Sequence, residues 1–273
     1  MKRKAKVFRP TAFAFPYLAV TLVFVIVPLL LILIYAFRGQ DGNFTLENFR
    51  LIFCGDGVNS AEDFLVRPLL KTLGIAAVST AICLLIAYPV AYVLASQPFR
   101  KMSVIALLFV VPMWINFMLR VFALKSILVT LGMQNGYWMV VIGMVYDFFP
   151  YMLLPIYTVL ANMDKSYLEA SRDLGANPVR TFCKVTLPLS LPGIISGISM
   201  MFMPIFSSYA ITDTMGDNRT TVIGSEIYSA FHYYEYGHGA ALSFLLLIIV
   251  LFVVWLSNFL TRRSQKAPKG GKA

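Results

Sequence analysis

Asp147 is the only carboxylate within the long apolar runs of this sequence, and aromatic residues flank it, including Tyr146 and Tyr151. An ionisable group in such a run is a functional candidate by default, because burying a charge in an apolar environment is costly. A carboxylate beside aromatic rings has two chemical uses. It pairs with a cationic side chain, or it binds a passing cation with the help of the ring faces.

Arg120 is the candidate partner, since it interrupts the preceding apolar run. The helical rise places Arg120 about 24 Å from one face of an apolar layer about 30 Å thick, and Asp147 about 15 Å from the other face. Their depths then differ by about 9 Å, which a long arginine side chain nearly bridges. The sequence leaves both interpretations open: a structural ion pair with Arg120, or contact with a passing cation.

The segment 161–190 carries a second set of informative residues. Ser166-Tyr-Leu-Glu169 matches a capping box, in which the two side chains satisfy N–H groups at a helix start. A short helix is therefore predicted from about residue 167 to residue 174. Gly175 is suited to the left-handed conformation that closes such a helix.

A second helix is predicted directly after this turn. Asn177 has the side chain of a good N-cap, and Pro178 is favoured at the first helical position. Pro188 and Pro192 predict the end of this helix, because proline removes a backbone donor from the helix interior. The segment is thus expected to form two short helices joined by a tight turn.

The composition shows which elements must position these residues. Of the 273 residues, 59% are hydrophobic and only 13% are charged, whereas a soluble domain has about 25% charged residues. With a mean hydropathy of +0.75, the sequence predicts one all-α integral membrane domain over residues 1–273. The first apolar run is too long for a signal peptide and is expected to be a retained helix. Six transmembrane helices are expected, at roughly 12–37, 72–97, 103–131, 137–160, 191–212 and 240–261.

The distribution of basic residues predicts the orientation. Lys and Arg number sixteen in one alternate set of connecting and terminal segments and four in the other. Cytoplasmic loops are enriched in these residues, so both termini and the segment 161–190 are expected in the cytoplasm. The same clusters beside apolar runs account for the net charge of +10 without a nucleic-acid partner.

The sequence contains no recognised catalytic motif. It has no phosphate-binding loop, no zinc-protease motif and no nucleophile elbow, so no catalytic residue is assigned. His232 and His238 lie in one predicted outer loop without a cysteine nearby and are interpreted as surface residues. The three cysteines lack metal-ligand spacing, so no metal site is assigned. Any energy source is expected on another chain.

The segment 161–190 resembles the EAA loop of binding-protein-dependent ABC importer permeases. The family pattern is E-A-A, three residues, G, nine residues, I, one residue and L-P, and every spacing agrees. Ser171 replaces the second alanine and Val185 replaces the isoleucine. The resemblance assigns the coupling role to Glu169, Ala170, Ser171, Gly175, Leu187 and Pro188.

This resemblance also implies partners. In such permeases the loop docks into a groove on a cytoplasmic ATPase, and the small Ala170 and Ser171 would allow close approach. The expected partners are a second related permease, two ATPase chains, an external binding protein and membrane lipid. ATP and magnesium would bind the ATPase, no cofactor is expected on this chain, and the location would be the bacterial plasma (inner) membrane.

The resemblance is closest to spermidine/putrescine permeases. Pro112-x-Trp114-x-Asn116-x-x-x-Arg120 and Asp213-x-Met215-Gly216 carry it, and it implies a polyamine substrate. Ferric iron or a sulfate-like anion stays open, because other permeases share the fold and because Arg120 with Lys125 would suit an anion. A membrane enzyme or a channel is the alternative from another class, but the sequence shows neither a catalytic cluster nor a repeated filter.

A polyamine path needs carboxylates and aromatic faces. Asn116 would either contact a neighbouring helix or line this path. The residues expected along it are Trp114, Asn116, Arg120, Asp147, Tyr151, Asp213 and Glu226. In the following loop, apolar residues from Val222 to Phe231 fall on one helical face and predict a short interfacial helix. Docking of the binding protein is the alternative use of that loop.

Overall fold

The computed structural model describes residues 11–39, 42–54, 67–96, 108–217, 220 and 222–265. Long helices dominate this part of the chain, as the apolar runs predict. The helices are α1, made of Thr11–Thr21, the π-helical Leu22–Ile26 and Val27–Ala36; α2, Glu47–Cys54; α3, Arg67–Ala95; α4, Phe117–Thr130; α5, Tyr137–Ala161; α6, Ser166–Asp173; α7, made of Pro178–Thr181, the π-helical Phe182–Thr186 and Leu187–Ser207; α8, Tyr209–Met215; α9, Ile223–His232; and α10, Tyr236–Gln265.

Five of the described helices are long and apolar enough to cross a membrane. They comprise Pro16–Ala36, Arg67–Ala95, Tyr137–Ala161, Pro178–Ser207 and Tyr236–Leu256. The first is the most apolar, and none of its best window is buried within the chain. Such a surface is stable only against lipid or another apolar partner, which agrees with a polytopic membrane protein.

The third predicted run, 103–131, is not one continuous helix. A 3₁₀ turn at Val111–Trp114 is followed by the extended residue Ile115, and α4 begins only after Asn116. Pro112 lies in the 3₁₀ turn, where its missing N–H and fixed φ are tolerated. Asn116 then starts a new helix as its N-cap. Residues 103–107 lie outside the described residues.

The fifth predicted run differs at both ends. Pro188 and Pro192 do not end the helix that starts at Pro178, which continues as α7 to Ser207. A proline cannot donate to the carbonyl four residues earlier, and the π-helical turn that ends at Thr186 absorbs this defect. The helix ends instead at Ser208, whose ψ of 80° is not helical, and α8 follows.

The core lies where α3, α5 and α7 pack together. Tyr88 of α3 and Ser190 of α7 share a buried hydrogen bond of 2.9 Å. Gly193 and Gly197 let α7 approach α5 closely, since a Cβ on Gly197 would lie 3.0 Å from the Met152 carbonyl oxygen. Small residues four apart commonly create such contacts between membrane helices. The helix that carries Asp147 is thus held between two neighbours.

The two ends of α7 carry different structures. Helix α6 precedes its start, and α8 and α9 follow its end. The predicted helix after Val222 is confirmed as α9, with Val222, Ile223 and Ala230 buried. At its start, the Ile223 amide donates to Thr72 Oγ1 of α3 at 2.9 Å. This bond ties the loop region to the core.

Candidate functional site

Asn116 begins the helix that presents Arg120. Its Oδ1 accepts hydrogen bonds from the amides of Met118 and Leu119 at 3.0 and 3.4 Å, which is the geometry of an N-cap. The described hydrogen bonds of the Asn116 side chain are thus those of a cap, and the interpretation that this exposed side chain lines the path stays a prediction. Asn116 fixes the start of α4, so that Arg120 falls at the end of the first helical turn.

Arg120 and Asp147 form a buried ion pair between α4 and α5. Arg120 Nη1 lies 2.9 Å from Asp147 Oδ1, and the two side chains are 10% and 1% exposed. Of the two interpretations of Asp147, the structure shows the ion pair. Arg120 Nε and both Asp147 carboxylate oxygens have no hydrogen-bond partner among the described residues, so the pair is a single ionic contact rather than a bidentate one.

The position of Arg120 makes this pair electrostatically necessary. A helix N-terminus carries a partial positive charge and disfavours a cation in the first turn. Asp147 offsets both that field and the guanidinium charge. A buried ion of either sign is costly without its partner, so Arg120 and Asp147 depend on each other.

Lys125, the second cation expected near the pair, is also engaged. Its Nζ donates to the carbonyl oxygen of Thr214, which joins α4 to α8. The ammonium thus compensates the C-terminal carbonyls of α8, where a helix favours positive charge. Neither Arg120 nor Lys125 is presented here as an open anion-binding group.

The remaining path residues are not gathered around the pair by any described contact. Trp114 is 86% exposed on the 3₁₀ turn. Tyr151 is partly exposed one turn beyond Asp147 and packs against Phe148 at 6.0 Å between ring centroids. Asp213 is exposed on α8 and Glu226 is half-buried on α9. The role of these side chains along a path stays a prediction.

The segment with the EAA-like spacing begins differently from its predicted capping box. Helix α6 starts at Ser166 itself, and the Ser166 amide donates to Asp164 Oδ1 at 3.0 Å. This bond holds the pKa of the Asp164 carboxyl below its usual range. The predicted Ser166–Glu169 capping box is therefore wrong. Asp164 accepts the hydrogen bond at the helix start instead, and Glu169 is an exposed residue of the first turn.

The end of α6 forms the predicted left-handed turn. Gly175 has φ +76°. The Ala176 amide donates to the Ser171 carbonyl at 3.1 Å, and the Gly175 amide donates to the Arg172 carbonyl at 2.8 Å. This pair of bonds is a Schellman motif, which closes a helix with glycine at the left-handed position.

Asn177 and Pro178 also act as predicted. Asn177 Oδ1 accepts from the Arg180 amide at 2.8 Å and caps the start of α7, with Pro178 in its first turn. Ser171 is buried and shares a hydrogen bond of 2.8 Å with Thr181 of α7. The Ser171 hydroxyl therefore joins α6 to α7, and its part in the close approach of an external partner stays a prediction. Ala170 is exposed and retains that role as a prediction.

Sequence reasoning missed several residues of this region. Thr181 gives no signal of its own, since its partner is known only once α6 and α7 are packed. Leu174 is 88% exposed at the turn, and Tyr167 and Val179 are also exposed. Three apolar side chains on a short polar segment are a signal that could have marked a docking surface. Leu187 is half-buried and packs against the core, and Pro188 is exposed.

Residues 86–267 match the family described as binding-protein-dependent transport system inner membrane component. The chain belongs to this family. Its members are ABC importer permeases, so the chain is a multi-pass protein of the plasma membrane and a transport subunit rather than an enzyme.

Relatives extend the likeness over most of the chain. The spermidine/putrescine transport system permease protein PotB of Escherichia coli is 31% identical, over 88% of this chain and 94% of its own. A PotB homolog of Mycoplasma genitalium is 28% identical, over 78% and 77%.

Solved transporters share the fold. A subunit of a bacterial alginate ABC transporter, in complex with its pentasaccharide-bound periplasmic protein, superposes with a TM-score of 0.71 at 14% identity, over 93% of this chain and 94% of its own. The MetNI methionine ABC transporter in an inward-facing conformation gives a TM-score of 0.59 at 21% identity, over 73% and 95%.

Proposed function

We propose that this chain forms part of the translocation path of an ATP-driven importer for a spermidine- or putrescine-like polyamine. The observation that carries this proposal is the 31% identity to PotB across nearly the whole of both chains. The complex would contain a second related permease, two cytoplasmic ATPase chains that bind ATP and magnesium, and an external binding protein.

In the proposed topology six spans cross the membrane and both termini are cytoplasmic. The third span would be the broken one, since α4 has only 14 residues and follows the 3₁₀ turn. Helix α6 would face the ATPases, and α8 and α9 would lie on the outer side. The excess of Lys and Arg in the alternate segments supports this orientation.

A natural thiol allows a direct test of this orientation. Cys183 is exposed at the start of α7, whereas Cys83 is buried. In a Cys54→Ser background, a membrane-impermeant maleimide should label Cys183 in inside-out vesicles and not in intact cells. A cysteine placed at the exposed Tyr234 should label with the opposite preference. Labelling of Cys183 from outside the cell would contradict the topology.

The charges of the described site agree better with a cationic substrate than with an anionic one. Arg120 is neutralised by Asp147, and Lys125 is bound to a carbonyl. Asp213 and Glu226 supply carboxylates at the proposed outer end. A polyamine must exchange water for such groups and for ring faces. Asp147, with a carboxylate oxygen that lacks a partner, would meet the ammonium once the bundle opens.

The coupling mechanism would follow the contacts of α6. The Schellman turn and the Ser171–Thr181 bond fix α6 to the start of α7. Through Gly197 against Met152, α7 packs on the helix that carries Asp147. Closure of the ATPases would therefore move α6 and α7 together and shift α5. Such rigid-body motion is how packed helices convert a local push into alternating access.

Uptake measurements test the substrate. The assembled complex in vesicles, supplied with ATP and its binding protein, should accumulate radiolabelled spermidine or putrescine. Unlabelled polyamine should compete, whereas sulfate and ferric citrate should not. Accumulation of sulfate or ferric iron in place of polyamine would overturn the proposed substrate and leave the family membership untouched.

A further inference from the structure

Three rings on α8 and α9 and a fourth on the residue after α9 form an exposed column at the end of the molecule opposite α6. Tyr209 of α8 stacks on Tyr228 of α9, with centroids 4.4 Å apart and an interplanar angle of 7°. Tyr228 stacks on His232 at 5.9 Å and 17°. Tyr233 meets His232 edge-on at 5.5 Å and is 73% exposed. We call Tyr209, Tyr228, His232 and Tyr233 the ring column.

The backbone positions this column firmly. Tyr228 and His232 are four residues apart and lie on one face of α9. The first residue of α9 is bonded to Thr72, and Gly224 brings its first turn against the end of α7. A Cβ on Gly224 would lie 3.0 Å from the Phe206 carbonyl oxygen. Because both contacts are buried, the rings stand on a fixed support rather than on a free loop.

Carboxylates accompany the rings. Asp213 lies one turn after Tyr209 on α8 and is exposed, and Glu226 is half-buried on α9. In the described part of 209–236 there are four acidic residues and neither lysine nor arginine; Arg219 lies outside the described residues. The described residues of this segment are therefore acidic overall, while Lys125 of α4 reaches α8 at the Thr214 carbonyl. The faces of the rings also carry negative potential.

We propose that the ring column binds the ammonium end of an aliphatic diamine or polyamine at the outer mouth of the permease. This assignment rests on the proposed function and deepens it by naming a receiving surface. Tyr209 and Tyr228 cover each other's facing sides, so the ammonium would meet the outer faces of the column. Ring faces attract alkylammonium groups within about 6 Å, and Asp213 on α8 adds charge. A metal ion fits less well, since the described residues contain no cluster of three His, Cys, Asp or Glu side chains.

Binding of a small probe to the purified complex without its binding protein tests this surface. The probe is 1,4-diaminobutane, with 1,4-butanediol as the uncharged control, followed by saturation-transfer NMR. Tyr228→Leu should weaken diamine binding about fivefold, the equivalent of one cation–π contact. Tyr228→Phe, which keeps the ring, should bind like wild type. Tyr234→Leu is the matched control, since Tyr234 is exposed nearby but outside the column.

The results separate the column from the substrate proposal. If Tyr228→Leu takes up polyamine and binds the diamine as the wild type does, the proposed role of the ring column is overturned and the importer proposal stands. Rings that only anchor the protein at the lipid interface would give that result. Equal losses of diamine binding in Tyr228→Phe and Tyr228→Leu would also overturn the ring column, because the Tyr228 hydroxyl rather than its ring face would then bind the diamine. Absence of polyamine uptake by wild type would remove the substrate proposal itself.

Discussion

The α6–α7 junction and the Arg120–Asp147 pair use polar groups in opposite ways. At the junction, the hydrogen bonds join residues close in sequence, and most of the backbone is exposed to solvent. The ion pair joins two helices through one contact between side chains that are almost fully buried. Loss of an exposed cap at the junction leaves its partner in water, although the Ser171–Thr181 bond there is buried, whereas loss of a group in the pair leaves a charge without solvent.

The two regions should therefore fail differently. A change in the ion pair should damage the folded bundle, because no water replaces the lost partner. A change at the junction should leave the bundle intact and alter how α6 moves with α7. Stability and transport measured on the same variants distinguish these outcomes.

The largest effect is expected for Asp147→Asn. The change leaves the Arg120 guanidinium buried without its counterion, at a cost of about 3–5 kcal/mol. The thermal midpoint of the detergent-purified complex should fall sharply, as should its yield. Asp164→Asn is the matched control, since it makes the same chemical change at an exposed carboxylate and should leave the midpoint almost unchanged.

The double change Asp147→Asn with Arg120→Gln then sharpens the role of the pair. Removing both charges should restore most of the stability, because no unpaired ion is left. Restored stability with restored uptake would mean that the pair is purely structural. Restored stability without uptake would place the Asp147 carboxylate on the substrate path. Equal instability in the single and double variants would contradict the ion-pair account.

Gly175→Val should separate transport from folding. A Cβ at Gly175 meets no atom within 4 Å, but its φ is +76°. The cost is therefore conformational, of order 1–2 kcal/mol for a residue forced into the left-handed region. Uptake should be lost while the complex still assembles and the external protein still binds substrate.

Gly175→Asn is the control, because asparagine tolerates this conformation better than valine, and it should retain much of the uptake. Reversal of charge at Glu169 in the same segment should also abolish uptake, since the start of a helix favours an anion. Normal uptake in both Gly175→Val and Glu169→Lys, at normal protein level, would remove the coupling assignment.

The sequence predicted the junction better than the membrane site for a physical reason. Gly175, Asn177 and Pro178 act on backbone within a few residues, so their local preferences suffice. The hydrogen-bond partner of Ser171 depends on how α6 packs against α7, and the sequence did not predict it. Helical rise placed Arg120 and Asp147 about 9 Å apart in depth, but only the packed bundle decides whether they meet.

The length of apolar runs has a related limit. It predicted the long helices α1, α3, α5 and α10, whose sequences are mostly apolar. It missed the break before Asn116 and the continuation of α7 through Pro188, because both depend on backbone hydrogen bonds. Pro112 lies in the first turn of a short 3₁₀ segment, whereas Pro188 follows a π-helical turn within a continuous helix.

Asn116→Ala tests whether a cap supports the ion pair. Loss of the two bonds to the Met118 and Leu119 amides should cost about 1 kcal/mol and lower the thermal midpoint by less than Asp147→Asn does. Asn116→Ser keeps a capping oxygen and should stay near wild type. The contrary result is that both the alanine and the serine variants are as stable as wild type but lose uptake. Asn116 would then line the path rather than cap α4.

The smallest effect is expected at the bond that joins α6 to α7. Ser171→Ala removes one hydroxyl and leaves Thr181 Oγ1 buried without its partner, which should cost about 1 kcal/mol at the junction, at the low end for such a change. The double variant Ser171→Ala with Thr181→Val removes both polar groups at nearly constant shape, so most of the stability should return. The informative quantity is the number of substrate molecules imported per ATP hydrolysed. If the bond carries motion from α6 to α7, this ratio should fall in both variants, even where stability has recovered. A ratio equal to wild type in the double variant would show that packing alone couples the two helices.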